Sequence, residues 1–164
     1  MKKLLIPLLA AVAMTVPLPA SALLCLVCSC TVSTTAVAFG LYAPLSAPPN
    51  LSTGNISVSC TATASVLVNY TIDLGTGNSS SSYSPRLMGS GSNRLGYNLF
   101  TDSARTSVWG NGTGGTGRIV SGDIPLTLFT GSTVNYPVYG RIPGSQKTVP
   151  PGSYNDAIQV TVTY

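Results

Sequence analysis

Apolar residues in this chain recur at every second position, and that period decides the class of fold. Ile56, Val58 and Cys60 alternate with Ser57 and Ser59. Val66, Val68, Tyr70 and Ile72 alternate with polar or smaller partners, apart from Leu67. Val134, Tyr136 and Val138 form another set, and Ile158, Val160, Val162 and Tyr164 alternate with Gln159, Thr161 and Thr163. Successive side chains of a strand point to opposite faces, so this spacing gives each segment one apolar face. A helix would need a period of 3.6, and no stretch beyond the first 22 residues shows one. Residues 31–39, 95–100 and 124–129 are further strand candidates. Gly-, Ser- and Asn-rich stretches at 75–84 and 110–117, with Pro143-Gly144 and Pro150-Pro151-Gly152, supply the turns between them. Roughly seven short strands separated by such turns predict an all-β sandwich of the immunoglobulin-like kind.

The first residues follow a different rule. Lys2 and Lys3 precede an apolar run over 4–16, Pro17 and Pro19 break it, and Ala20-Ser21-Ala22 is a small-residue cleavage site. This is the order of parts in a secretory signal peptide. The run is shorter than the roughly 20 residues that a spanning helix needs. Cleavage after Ala13 is the alternative reading. The expected organisation is a signal peptide over 1–22, a short extension over 23–29 and one β-sandwich domain over 30–164.

Taking away those 22 residues and their two lysines leaves 142 residues with six Lys or Arg and four Asp, and with neither Glu nor His. One ordinary domain fits that length. No basic run or aromatic-plus-basic stripe is present, which argues against a nucleic-acid partner. Without His or Glu there is no Ser-His-Asp set and no HExxH. The expectation is a chain that is not an enzyme and takes no metal or cofactor. Asp73, Asp102, Asp123 and Asp156 could pair for glycoside hydrolysis, but turn residues are the simpler reading. The glycines of 110–117 lack the Lys-Ser/Thr ending of a phosphate loop.

Four cysteines follow the leader: Cys25, Cys28, Cys30 and Cys60. Export implies an oxidising compartment, where disulfides are the first expectation. A bridge from Cys30 to Cys60 would staple the first two candidate strands. Cys25 and Cys28 stand roughly 10 Å apart in an extended chain, too far to bond unless the segment turns or the bridge joins two subunits. A four-cysteine metal site is the rival, weakened by the absence of paired C-x-x-C knuckles.

Several longer stretches resemble a known family. Residues 30–45, Cys-Thr-Val-Ser-Thr-Thr-Ala-Val-Ala-Phe-Gly-Leu-Tyr-Ala-Pro-Leu, are similar to the opening of the spore coat protein U domain. Leu-Gly-Tyr-Asn-Leu-Phe-Thr-Asp-Ser-Ala-Arg-Thr-Ser-Val-Trp-Gly over 95–110 resembles its central motif. Val138-Tyr-Gly-Arg-Ile-Pro143 and Pro151-Gly-Ser-Tyr-Asn-Asp156, followed by the final candidate strand, resemble its end. The resemblance implies a subunit like those of archaic chaperone–usher pili and secreted coat proteins. It implies an incomplete immunoglobulin-like sandwich completed by a donor strand, lent first by a periplasmic chaperone and then by a neighbouring subunit. An outer-membrane usher, a cell-surface location and a role in adhesion or biofilm come with it.

The family's bridge would fall on Cys30 and Cys60. The docking edge would be Ile158, Val160, Val162 and Tyr164, facing the core beside an open groove. The donor segment would be Leu24, Leu26 and Cys28, although residues 23–29 reach only about 23 Å at strand rise. The competing expectation is a secreted carbohydrate- or surface-binding sandwich that uses Trp109, Tyr97 and Tyr83 as an aromatic platform, against the simpler reading of Trp109 and Tyr97 as core or turn-packing residues.

Overall fold

A computed structural model describes residues 28–128 and 130–164. The expected signal peptide, together with Leu24, Cys25 and Leu26, lies outside the described residues, as does Phe129. The described residues form strands and loops without a helix. The strands are β1 (Cys28–Thr35), β2 (Asn50–Ala62), β3 (Val66–Val68), β4 (Thr71–Leu74), β5 (Arg86–Ser90), β6 (Asn93–Phe100), β7 (Ile119–Val120), β8 (Ile124–Leu126), β9 (Ser132–Ile142) and β10 (Val160–Thr163).

One layer is the five-stranded sheet β1-β2-β9-β6-β5. The other is built from β10-β4-β7 with β3-β8 continuing it. Between those two parts the register slips by one residue, from Val68 opposite Ile124 to Thr71 opposite Val120. That slip is the signature of a bulge. Ser121 bridges it, donating its N–H to the Tyr70 carbonyl and accepting the Tyr70 N–H at Oγ. The period-two run 66–72 is therefore two strands, yet Val68, Tyr70 and Ile72 all stay buried on one face.

The inward residues of both sheets make one core: Ile56, Val58, Cys60, Val68, Ile72, Leu74, Leu95, Tyr97, Leu99, Leu126, Val138 and Ile142 among them. Pro137 sits within β9 opposite Asn55, at no cost to the ladder. Its nitrogen faces away from β2, and on the other side β6 ends at the pair Phe100–Tyr139.

Cys30 lies directly opposite Cys60 in the β1–β2 ladder, and the two are bonded with Cα atoms 4.0 Å apart. Cys28, expected in the donor segment, instead opens β1 opposite Ala62 and is disulfide-bonded as well, so none of the described cysteines offers a thiolate to a metal. The Cys30–Cys60 bridge holds a loop of about 30 residues, worth roughly 3–4 kcal/mol in the chain-entropy account. Replacing both residues by Ala is expected to cost about that much in urea unfolding, with no further loss in the single variants.

The candidate strand 31–39 ends earlier than its pattern suggests. After Thr35 the chain leaves the edge and crosses the inner face of the five-stranded sheet. Ser52 Oγ donates to the Ala38 carbonyl at 2.7 Å, and Asn50 Nδ2 to the Phe39 carbonyl at 2.8 Å. Val37 and Phe39 take the space that side chains at Gly54 and Gly140 would fill. A Cβ on Gly140 would stand 2.5 Å from Val37 and 2.6 Å from Phe39. Gly140→Val is expected to lower stability by about 1–3 kcal/mol, the usual cost of overpacking, as read from a denaturant midpoint.

Candidate strand-docking groove

Both layers stop one strand short on the same side. β1 is the outer strand of one sheet and β10 of the other. Between them runs an open groove of about 600 Å³. Its walls are residues 34–42 on one side and 153–156 with Ile158 and Val160 on the other, and its floor includes Ile56, Leu95, Leu99 and Val138.

The backbone of both walls has hydrogen bonds to give. Gly75 donates its N–H to the Gln159 carbonyl at 2.9 Å. In an antiparallel ladder bonded and non-bonded pairs alternate. Thr161 and Thr163 therefore face β4, and Val160 and Val162 turn their N–H and C=O away from it, on the open edge. On β1, the 4.0 Å Cα spacing of Cys30 and Cys60 marks a non-bonded pair. Val32 and Thr34, two and four residues on, thus also point their backbone groups outward from β2.

Side chains tell the same story. Val160 lies opposite Leu74 and Val162 opposite Ile72, both fully buried residues. Ile158, Val160 and Val162 consequently face inward and pack against the core, but each remains only half-buried. Val32, on the core face of β1, is 43% exposed. Tyr164 departs from expectation: it is 39% exposed and stands one residue past the last ladder pair, Thr163–Thr71. Ile158 precedes β10 and lines the groove from an irregular segment.

One stretch of the groove is polar. Tyr97 Oη donates to Asp156 Oδ2 at 2.7 Å, while the N–H groups of Asn78 and Ser79 donate to Oδ1 at 2.9 and 3.2 Å. Burial, then the bond to Asp156, pushes the Tyr97 phenol well above its ordinary range. Asp156 is thus a half-buried anchor rather than a solvated turn residue.

The other aspartates are also committed to structure. Asp73 pairs with Arg118 at 3.0 Å, and Asp123 accepts from Asn69. Asp102 accepts N–H bonds from Ser107 and Thr106, which hold its carboxyl below the usual carboxylate range.

Trp109 and Tyr97 cannot form an exposed aromatic platform. Trp109 is 0% exposed and donates its indole N–H to the Ile72 carbonyl at 3.0 Å; Tyr97 is 4% exposed. Tyr83 instead covers the guanidinium of Arg86, 5.1 Å from its ring centre.

Arg86 is the residue that sequence reasoning missed. It is fully buried at the start of β5. Nε and Nη2 donate to the Gly75 carbonyl, Nη2 also to the Trp109 carbonyl at 2.6 Å, and Nη1 to Asn98 Oδ1 at 2.8 Å. Burial lowers its pKa while Tyr97, Tyr83 and Asp156 oppose that shift. The guanidinium ties the loops after β4 and before β7 to the far edge of the sandwich.

The family model described as the Spore Coat Protein U domain matches residues 15–161. The chain belongs to that family. Among curated proteins, "Protein U" of Myxococcus xanthus is 34% identical over 134 residues, which is 77% of this chain and 70% of the relative.

The family fold appears in a solved structure too. The match is to a chain in the crystal structure of the CsuC–CsuE chaperone–tip adhesion subunit pre-assembly complex from archaic chaperone–usher Csu pili of Acinetobacter baumannii. It covers 84% of this chain at a TM-score of 0.57 and 23% identity. This chain spans 40% of that one. The Spore Coat Protein U fold seen here is an all-β, incomplete immunoglobulin-like sandwich, and the missing strand is the groove.

Proposed function

We propose that this chain is an exported structural subunit whose groove is completed by a strand from another protein. A periplasmic chaperone supplies that strand first, and a neighbouring subunit supplies it after assembly through an outer-membrane usher. The product is a pilus or coat at the cell surface, serving adhesion and biofilm formation. The observation that carries this reading is the pair of unsatisfied strand edges, β1 and β10, flanking half-buried aliphatic side chains.

An exposed edge of this kind is a template for pairing. Strand addition supplies main-chain hydrogen bonds for affinity, and alternate side chains fill the groove for specificity. Family membership and the Csu-complex fold match support the same reading. The expected signal peptide would deliver the chain to that route.

The test is electrophoresis of surface material collected from cells that carry the chain's own chaperone and usher. A ladder of subunit multiples that survives SDS without boiling and collapses to monomer on boiling is expected. Monomer alone in unboiled samples, with the chain nonetheless secreted and folded, would overturn the proposal.

A further inference from the structure

We infer that copies of this chain meet through a second contact outside the groove, with Leu41, Leu45 and Leu51 of one copy set against Leu67 and Leu128 of the next. This rests on the donor-strand reading and specifies how the joined bodies touch. The residues lie at opposite ends of the sandwich. β1, β3 and β9 begin, and β2 and β8 end, at one pole, as the registers Cys28–Ala62 and Cys60–Ser132 show. That pole carries Leu67, 66% exposed, and Leu128, 52% exposed. The opposite pole, where β1 ends and β2 begins, carries Leu41 at 78%, Leu45 at 84% and Leu51 at 50%.

Single exposed leucines need no explanation. Here Leu41 and Leu51 line a depression of about 530 Å³ in which no charged residue takes part. The depression runs into the groove itself, since Leu41, Tyr42 and Ile142 line both. Contiguous apolar surface joined to a docking groove marks an interaction face.

The occupant follows from chain direction. Every strand pair among the described residues is antiparallel, and antiparallel pairing is the slightly stronger kind. A strand laid antiparallel on β10 runs toward the pole of Leu41 and leaves the groove there. The residues preceding β1 join their own body at the pole of Leu67 and Leu128. A copy donating those residues must therefore present that pole to the leucine depression. With the expected cleavage after Ala22, only residues 23–27 precede β1 and reach about 16 Å when extended, so little slack remains and the two poles abut. The contact joins unlike surfaces, and repetition gives an open filament.

Cysteine pairs test this in the assembled full-length chain. Leu45→Cys combined with Leu128→Cys, or with Leu67→Cys, should give covalent dimers and longer species after mild oxidation. These should persist on boiling without reductant, with the new bridge identified by peptide mapping. Each single variant should give monomer only. An unboiled ladder without such crosslinks in either double variant would overturn the contact and leave the donor-strand reading intact. Loss of the unboiled ladder in the parent chain would overturn both. Dimers from Leu45→Cys alone would show like poles meeting and overturn the head-to-tail order.

Discussion

Val160→Asp is expected to abolish capture of the subunit by its periplasmic chaperone, whereas Thr161→Ala should be recovered at the parental level. The two residues are neighbours on β10 with opposite roles. Val160 faces inward across from Leu74 and lines the groove; Thr161 lies across from Asp73 on the outer face and is exposed. In the open groove an aspartate at 160 can still reach water. Once a strand closes over it, the charge is sealed without a partner, which is costly. The burial of the valine, worth roughly 1.5–3 kcal/mol, is lost too. Capture should fall by at least about tenfold, and the uncaptured chain should be degraded. Co-expression and pull-down with the cognate chaperone measures both variants. Equal recovery of Val160→Asp and parent would show that β10 is not the docking edge.

The alternation that reveals β10 also reveals most of the sandwich, because an apolar residue at every second position is what a half-buried strand requires. Where the inner face is not lined by apolar side chains, the signal vanishes. The first half of β2 has Asn50, Ser52 and Gly54 on its inner face, since Val37 and Phe39 of the crossing segment cover it. No periodicity in 50–55 announces a strand. β5 is hidden for a related reason: its inward positions begin with an arginine. The open groove was expected from family resemblance, and its geometry became visible only when the two outer strands could be placed beside each other. Trp109 is a core residue, the simpler of its two readings from sequence, but its bond to the Ile72 carbonyl could not be read from its type.

Arg86→Ala should cause the largest loss of stability of any single substitution considered. It deletes the donors to the buried Trp109 carbonyl and to the half-buried Gly75 carbonyl and Asn98 side chain, and leaves the Trp109 and Gly75 carbonyls without those partners. Buried acceptors stripped of their partners cost about 1–3 kcal/mol each, so a loss of about 3–5 kcal/mol is expected. Arg86→Lys should recover little of it, because an ammonium cannot span acceptors arranged for a planar fork. Urea unfolding of the purified subunit, held with a saturating donor peptide, reads the difference. A midpoint within error of the parent for Arg86→Ala would show that the cluster is incidental. The same experiment separates this effect from docking, since Arg86 lies outside the residues that line the groove.

Hydrogen–deuterium exchange at the backbone amides of Val160 and Val162 is the most direct measure of whether another chain's strand completes this sandwich. Both amides point away from β4 on the open edge of β10, and Val160 lines the groove. In assembled filaments they should be protected to the level of the central ladder between β2 and β9, and protection should disappear when the filament is dissociated. Exchange at these two positions that is equally fast in filament and free subunit would contradict the account, whatever the filament looked like by other means.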